Sequence, residues 1–123
     1  MGSEVIYMPI TNAFSDDVIE RVQPAIVRQV RFVHNNICNT GSIVDMLTGY
    51  IDGMVAWAKL WDFAAGQVMI EEAGGAVYDF WGGGPMDDGL IVPQRLLMTR
   101  SQAMADSLLP YTSKWPKEGD LRA

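Results

Sequence analysis

The sequence predicts an α/β fold, a mostly parallel sheet of about five strands with helices on both faces. Short apolar, β-prone runs alternate along the chain with segments whose apolar residues recur three and four apart. Glycine and proline punctuate the junctions: Gly49, the Gly74-Gly75 pair and the Gly82-Gly83-Gly84-Pro85 turn all fall between apolar segments. At 123 residues and 49% hydrophobic composition the chain is one domain in size, with enough apolar side chain for a core. A single α/β domain is expected over residues 4–110, followed by a polar tail at 111–123.

Taken in order, residues 4–10 carry Val5, Ile6, Tyr7 and Met8 before Pro9, a β-prone run closed by a residue that cannot extend a ladder. Asp16 and Asp17 then favour a first helical turn. Val18, Ile19, Val22, Ala25 and Ile26 follow at helical spacing, with a kink or break expected at Pro24. Residues 30–38 read as a second strand, 43–47 as a helical turn closed by Gly49, and 50–58 as a third strand. Residues 61–75 form a helix stopped by Gly74-Gly75. Residues 76–81 and 96–99 supply the fourth and fifth strands. Ser101 caps a last helix through Leu109.

Composition removes several function classes. Nine basic against fifteen acidic residues give a net charge of −6, and no predicted element carries a basic stripe, so nucleic acid and anionic membrane are not expected as partners. Cys38 is the only cysteine, which precludes an internal disulfide and suggests an intracellular, cytoplasmic protein. No apolar run has the length of a membrane span.

Chemistry concentrates at the start of the 61–75 helix. Trp61, Ala64, Ala65, Val68 and Met69 share one helix face, and Asp62 sits in the first turn, where free N–H groups and the positive dipole end favour a carboxylate. Ala64-Ala65-Gly66 leaves little bulk beside it, so a ligand could approach. Elsewhere the ordinary readings are stronger. His34 is expected as a partly buried structural residue, and Cys38 as a small apolar one. Asp16-Asp17 and Asp87-Asp88 are expected as solvated turn carboxylates, and Glu71-Glu72 as a solvated helix end. The Gly82-Gly83-Gly84 run opens no helix and so makes no phosphate cradle.

From Trp61 onward the stretch WDFAAGQVMIEEAGGAVYDFWGG resembles the C-terminal signature of the inositol monophosphatase family, magnesium-dependent phosphatases related to fructose-1,6-bisphosphatase. Gly49-Tyr50-Ile51-Asp52-Gly53 is similar to the family's glycine-x-x-aspartate turn, and residues 96–109 are similar to its closing strand and helix. The resemblance implies the fold of the family's C-terminal half. It also implies that Asp62 descends from a magnesium ligand beside the substrate phosphate. The family's remaining ligands, a glutamate and an aspartate-proline-x-aspartate-glycine-threonine motif, have no counterpart in this sequence. A substrate-contacting glutamate seven residues before the metal aspartate is replaced by Val55. The family's glycine-serine pair falls on Ile37-Cys38, or on Gly41-Ser42 if one helix is shorter by about a turn. Cys38 and Asn39 are therefore the candidate substrate-side residues.

Two functions follow from the resemblance. One is a non-catalytic binding or assembly module with no cofactor of its own, acting as a homodimer or with another protein through a face lined by Met54, Trp57 and Trp61. The other is part of a phosphate-monoester hydrolase, with Mg²⁺ held at Asp62 only if another chain supplies the missing acids.

Overall fold

Strands apolar at both alternating positions need cover on both faces of a sheet, and Met54-Val55-Ala56 and Leu96-Leu97-Met98 are of that kind. The computed structural model of the chain describes residues 4–34, 39–84 and 94–122, apart from the side chains of residues 39, 40, 60 and 61. The strands are β1 (Val5–Tyr7), β2 (Phe32–His34), β3 (Gly53–Ala58), β4 (Ala76–Asp79) and β5 (Gln94–Thr99). They form one five-stranded sheet in the order β2-β1-β3-β5-β4. β1 pairs in parallel with β2 and β3, while β5 lies antiparallel between β3 and β4. Four strands therefore share a direction and β5 opposes them, a mixed sheet where sequence periodicity gave no sign of the reversal.

Helices cover both faces as expected. A helix over residues 16–27 contains a wide π-helical stretch, Val18–Val22, that runs into α1 (Gln23–Val27). Pro24 has no N–H for the carbonyl of Glu20, and its ring crowds that carbonyl. The predicted kink is realised as this wider turn, in which the N–H of Gln23 donates to the carbonyl of Val18. α1 and α4 (Gln102–Thr112) cover one face, where Val22, Ile26 and Leu108 meet Ile6, Val55 and Leu97. α2 (Asn39–Leu47) and α3 (Leu60–Glu72) cover the other, where Ile43, Phe63 and Ile70 meet Met54, Ala56 and Leu96. Ser101 caps α4 as predicted, its hydroxyl accepting from the N–H of Met104 at 3.2 Å.

The residues after Pro110 are not the polar tail that composition suggested. α4 continues through Thr112, Trp115 is 2% exposed and Asp120 is 4% exposed. The Asp120 carboxylate accepts from Arg95 on β5 at 2.9 and 3.1 Å and from Trp115 Nε1 at 2.8 Å. Trp115 stacks edge-on against Phe14 and lies beside Phe80. Leu121 bridges Phe14, and Arg122 binds the carbonyl of Asn12 and the carboxylate of Asp16. These residues close the α1–α4 face.

Asp16 and Asp17 are exposed, as expected, and both are ion-paired. Hydrogen bonds from Arg21 hold the Asp17 carboxyl below its ordinary pKa. A carboxylate lowered by folding adds stability above its unfolded pKa and loses it as pH falls through the folded value. Arg21→Ala is therefore expected to flatten acid unfolding slightly, in a manner that salt abolishes in the parent as well. Paired acid titrations followed by circular dichroism at low and high salt check this.

Candidate functional site

The strand order places a topological switch point between β1 and β3. From β1 the chain crosses to β2 by way of α1, then returns to β3 by way of α2 on the opposite face. In open α/β sheets the crevice beyond the carboxyl ends at such a point is where ligands bind. β3 ends there at Ala58, and after Lys59 the chain turns directly into α3, which carries Asp62 in its first turn.

Asp62 is half-buried at the third position of α3. Its carboxylate accepts from the backbone N–H of Lys59 at 3.4 Å, and its own N–H donates to the carbonyl of Lys59 at 2.8 Å. This is the reciprocal half of a capping box; a lysine side chain has only donors and cannot complete it. The carboxylate is thus turned back onto its own helix. Gly66 does not open space beside it, contrary to expectation, because Ile43 of α2 occupies that space. A Cβ at residue 66 would meet Ile43 Cδ1 at 2.6 Å.

The surroundings depart from the resemblance in two ways. Val55, where the resemblance implies an acceptor for a substrate hydroxyl, is fully buried in the core under the α1–α4 layer. Among the described residues, no group of three or more His, Cys, Asp or Glu is placed to hold a metal ion. Mg²⁺ requires a near-octahedral oxygen set usually built from several carboxylates, phosphates and waters. The described residues do not fit it, and no catalytic step can be derived through it.

The remaining expected site residues separate. Cys38 and the Asp87-Asp88 loop lie outside the described residues. Asn39 opens α2 and Trp61 belongs to α3, but neither side chain is described. His34, expected to be partly buried, is exposed at the end of edge strand β2. Met54 and Trp57 cannot share an interface: three residues apart on one strand, they point to opposite faces of the sheet. Met54 is 0% exposed under α2 and α3. Trp57 is half-buried on the other face, edge-on to Phe14 at 5.1 Å and covered by the Arg95 guanidinium at 4.6 Å.

A concavity is found elsewhere. A cleft of about 720 Å³ lies at the amino ends of β1 and β3, between the C-termini of α2 and α3 and the start of α4. Its charged groups are already engaged, since Asp52 accepts from the Val5 N–H at 2.8 Å and from Arg100 at 3.4 Å. It is at the opposite end of the sheet from Asp62 and gives that carboxylate no enclosure. The switch-point position, rather than cleft volume, marks the candidate site.

One surface escaped the sequence reading. Phe63, Gly66 and Ile70 form the buried face of α3, while Ala64, Ala65, Val68 and Met69 are exposed. Spacing found a real face but could not say which face is inward, because apolar residues surround the helix. Val44 and Leu47 on the neighbouring α2 are exposed too, at 53% and 37%.

A sequence profile of the inositol monophosphatase family matches residues 9–115. Among solved structures, inositol monophosphatase II from Staphylococcus aureus superposes with a TM-score of 0.69 at 20% identity, over 88% of this chain and 41% of that one. An inositol monophosphatase from Anabaena gives 0.68 at 20% identity, over 95% and 46%. The extragenic suppressor protein suhB of Bartonella henselae gives 0.71 at 20% identity, over 92% and 42%. A curated relative, the glucose-1-phosphate thymidylyltransferase of Streptomyces griseus, is 32% identical over 81 residues, 65% of this chain and 28% of that one. The chain thus spans less than half the length of each of these relatives, and the solved structures match it as a fold. With a profile match over most of its length and a sheet and helix order that superpose on those structures, the chain belongs to the inositol monophosphatase family.

Proposed function

We propose that this chain corresponds to the C-terminal half of the family fold and acts as a non-catalytic binding or assembly module. The observation that carries the reading is the state of the Asp62 position. The carboxylate caps its own helix at Lys59, Val55 is committed to the core, and no group of three or more His, Cys, Asp or Glu among the described residues is placed to hold a metal ion. The exposed apolar side chains of α2 and α3 supply the surface for assembly, in place of the Met54–Trp57 face suggested by sequence. The family's activity would return only if another chain or segment brought further carboxylates to Asp62. The length of the relatives favours keeping that second reading under test.

A panel of phosphate monoesters with Mg²⁺ tests the non-catalytic reading of the chain alone. The expected result is no turnover by the parent and none by Asp62→Asn. That substitution should change stability by only about 0.3–1 kcal/mol, the worth of a charge at a helix start. Turnover by the pure chain that vanishes in Asp62→Asn would overturn the non-catalytic reading.

A further inference from the structure

Where the segment leaving β1 meets the helix over residues 16–27 there is a groove of about 580 Å³, a volume within the range of small-ligand sites. Residues 10–12 line it from the first segment, and Ile19, Gln23, Pro24, Val27 and Arg28 from the second. Its walls are apolar, and two of their side chains stand uncovered, Ile10 at 54% and Val27 at 41% exposure. Such walls alone accept any hydrophobic group. Gln23 narrows the choice.

Gln23 lines the groove although it is only 5% exposed. Its Nε2 donates to the carbonyl of Pro9 at 2.8 Å, which fixes the orientation of the amide, because a carbonyl can only accept. Oε1 is then the atom left over. No described residue donates to it, and it is not one of the unpartnered side-chain atoms sealed from solvent, so the groove is its outlet. Buried amide groups are ordinarily satisfied, and an oxygen that can only accept selects a hydroxyl or an N–H.

Arg28 stands five residues beyond Gln23, about 7.5 Å along the helix axis. It is exposed, and its guanidinium makes no ion pair or hydrogen bond with a described residue. Of the acids in the same helix, Asp16 and Asp17 pair with Arg122 and Arg21. Glu20 lies about 12 Å from Arg28 along the axis and does not line the groove. Residues 8–12 carry no acid. The charge that lines the groove is therefore a single cation, suited to a monoanion.

We infer that this groove binds a small hydroxy acid, with an apolar body against Ile10, Ile19 and Val27, a hydroxyl donating to Gln23 Oε1 and a carboxylate at Arg28. Each part of the ligand answers one feature of the same cavity. Asp62 has no part in it, so phosphatase turnover by the chain would leave the inference standing.

The probe is para-hydroxyphenylacetate, titrated into the isotope-labelled full chain and followed by NMR of the backbone amides and the Gln23 side-chain amide. Phenylacetate lacks the donor and para-hydroxyphenylethanol lacks the charge. The hydroxy acid is expected to shift Ile10, Gln23 and Val27 together. Phenylacetate should bind at least about threefold more weakly, the worth of one hydrogen bond. The alcohol should bind about two- to fivefold more weakly, a difference that high salt removes. Val27→Trp should fill the groove and abolish binding, and Arg28→Gln should bind acid and alcohol equally, with circular dichroism confirming that both variants fold. Equal affinity for the acids with and without the hydroxyl overturns the inference, as does equal affinity of the parent for acid and alcohol. Binding that survives Val27→Trp, or no shift at these residues with any of the three probes, overturns it as well. Ile10 and Val27 resonances that move instead with protein concentration would assign the groove to a second copy of the chain and overturn it too.

Discussion

Alanine at Asp120 is expected to cost about 3–5 kcal/mol of folding stability, the penalty for removing one partner of a buried ion pair. The carboxylate is enclosed and accepts three hydrogen bonds, two from Arg95 and one from Trp115 Nε1. Removing it takes the Asp120 charge away from a guanidinium that is 21% exposed over the Trp57 ring. It also leaves a buried indole N–H without its acceptor. Asp120→Asn keeps an acceptor for Trp115 and loses the charge, so it should fall between parent and alanine. Trp115→Ala should cost a comparable 3–5 kcal/mol by opening a cavity between Phe14 and Phe80, a sum on the order of the whole stability of many domains. Urea unfolding followed by Trp fluorescence and far-ultraviolet circular dichroism checks the series. A midpoint for Asp120→Ala equal to the parent's would show that residues 113–122 decorate the fold rather than hold it.

That dependence was invisible in the sequence for a physical reason. Between Pro110 and Ala123 the residues Tyr111, Trp115 and Leu121 stand singly among polar neighbours, too few for periodicity to mark a buried face. The partner of Asp120 is Arg95, 25 residues earlier on β5, and the pairing exists only after the sheet has formed. A long-range ion pair and an aromatic cluster are tertiary facts, and composition alone reads such a stretch as solvated tail. By contrast, the elements set by local chemistry were legible. Gly49 and Gly74 sit at φ +89° and +88°, the left-handed positions that stop α2 and α3, and Ser101 caps α4.

The candidate site was legible in part. Asp62 lies in the first turn of α3, as the helix-start argument put it, just beyond the carboxyl end of β3. The direction of its carboxylate, toward Lys59, could not be read from residue types. The interface residues failed for a simpler reason. Met54 and Trp57 were grouped by their nearness in sequence, but a strand separates odd from even positions. For α3 the difficulty was opposite: two apolar faces gave two valid periodicities, and only the packing of Ile43 and the sheet shows which one is inside. The outward face is also the part of the chain least explained by its own fold, which is why the proposed assembly is sought there.

Gly75→Ala is expected to destabilise by about 1–3 kcal/mol through overpacking, and its neighbour should lose stability by a different mechanism. A Cβ at residue 75 would collide with the carbonyl oxygen of Thr99 and would stand 2.6 Å from Ile70 Cγ2 and 3.0 Å from the Ile70 carbonyl. Two of these obstacles are backbone. They cannot rotate away, because Thr99 is paired with Ala76 in the β4–β5 ladder and the Ile70 carbonyl accepts from the Gly75 N–H at 2.8 Å. Relief therefore requires α3 to move away from the sheet edge, at the expense of the Ile70 and Val77 packing. Gly74 has open space around it but a φ of +88°, so alanine there should cost about 1–2 kcal/mol from backbone conformation alone. Among the described residues Gly84 meets neither constraint, and Gly84→Ala should be neutral or gain about 0.4–1 kcal/mol from a less flexible unfolded chain. The Gly74-Gly75 pair that sequence reads as one helix stop thus divides into a turn residue and a contact residue. Urea midpoints that rank Gly84→Ala above Gly74→Ala above Gly75→Ala would establish the division. Equal midpoints for the last two would mean that α3 shifts freely over β4 and β5.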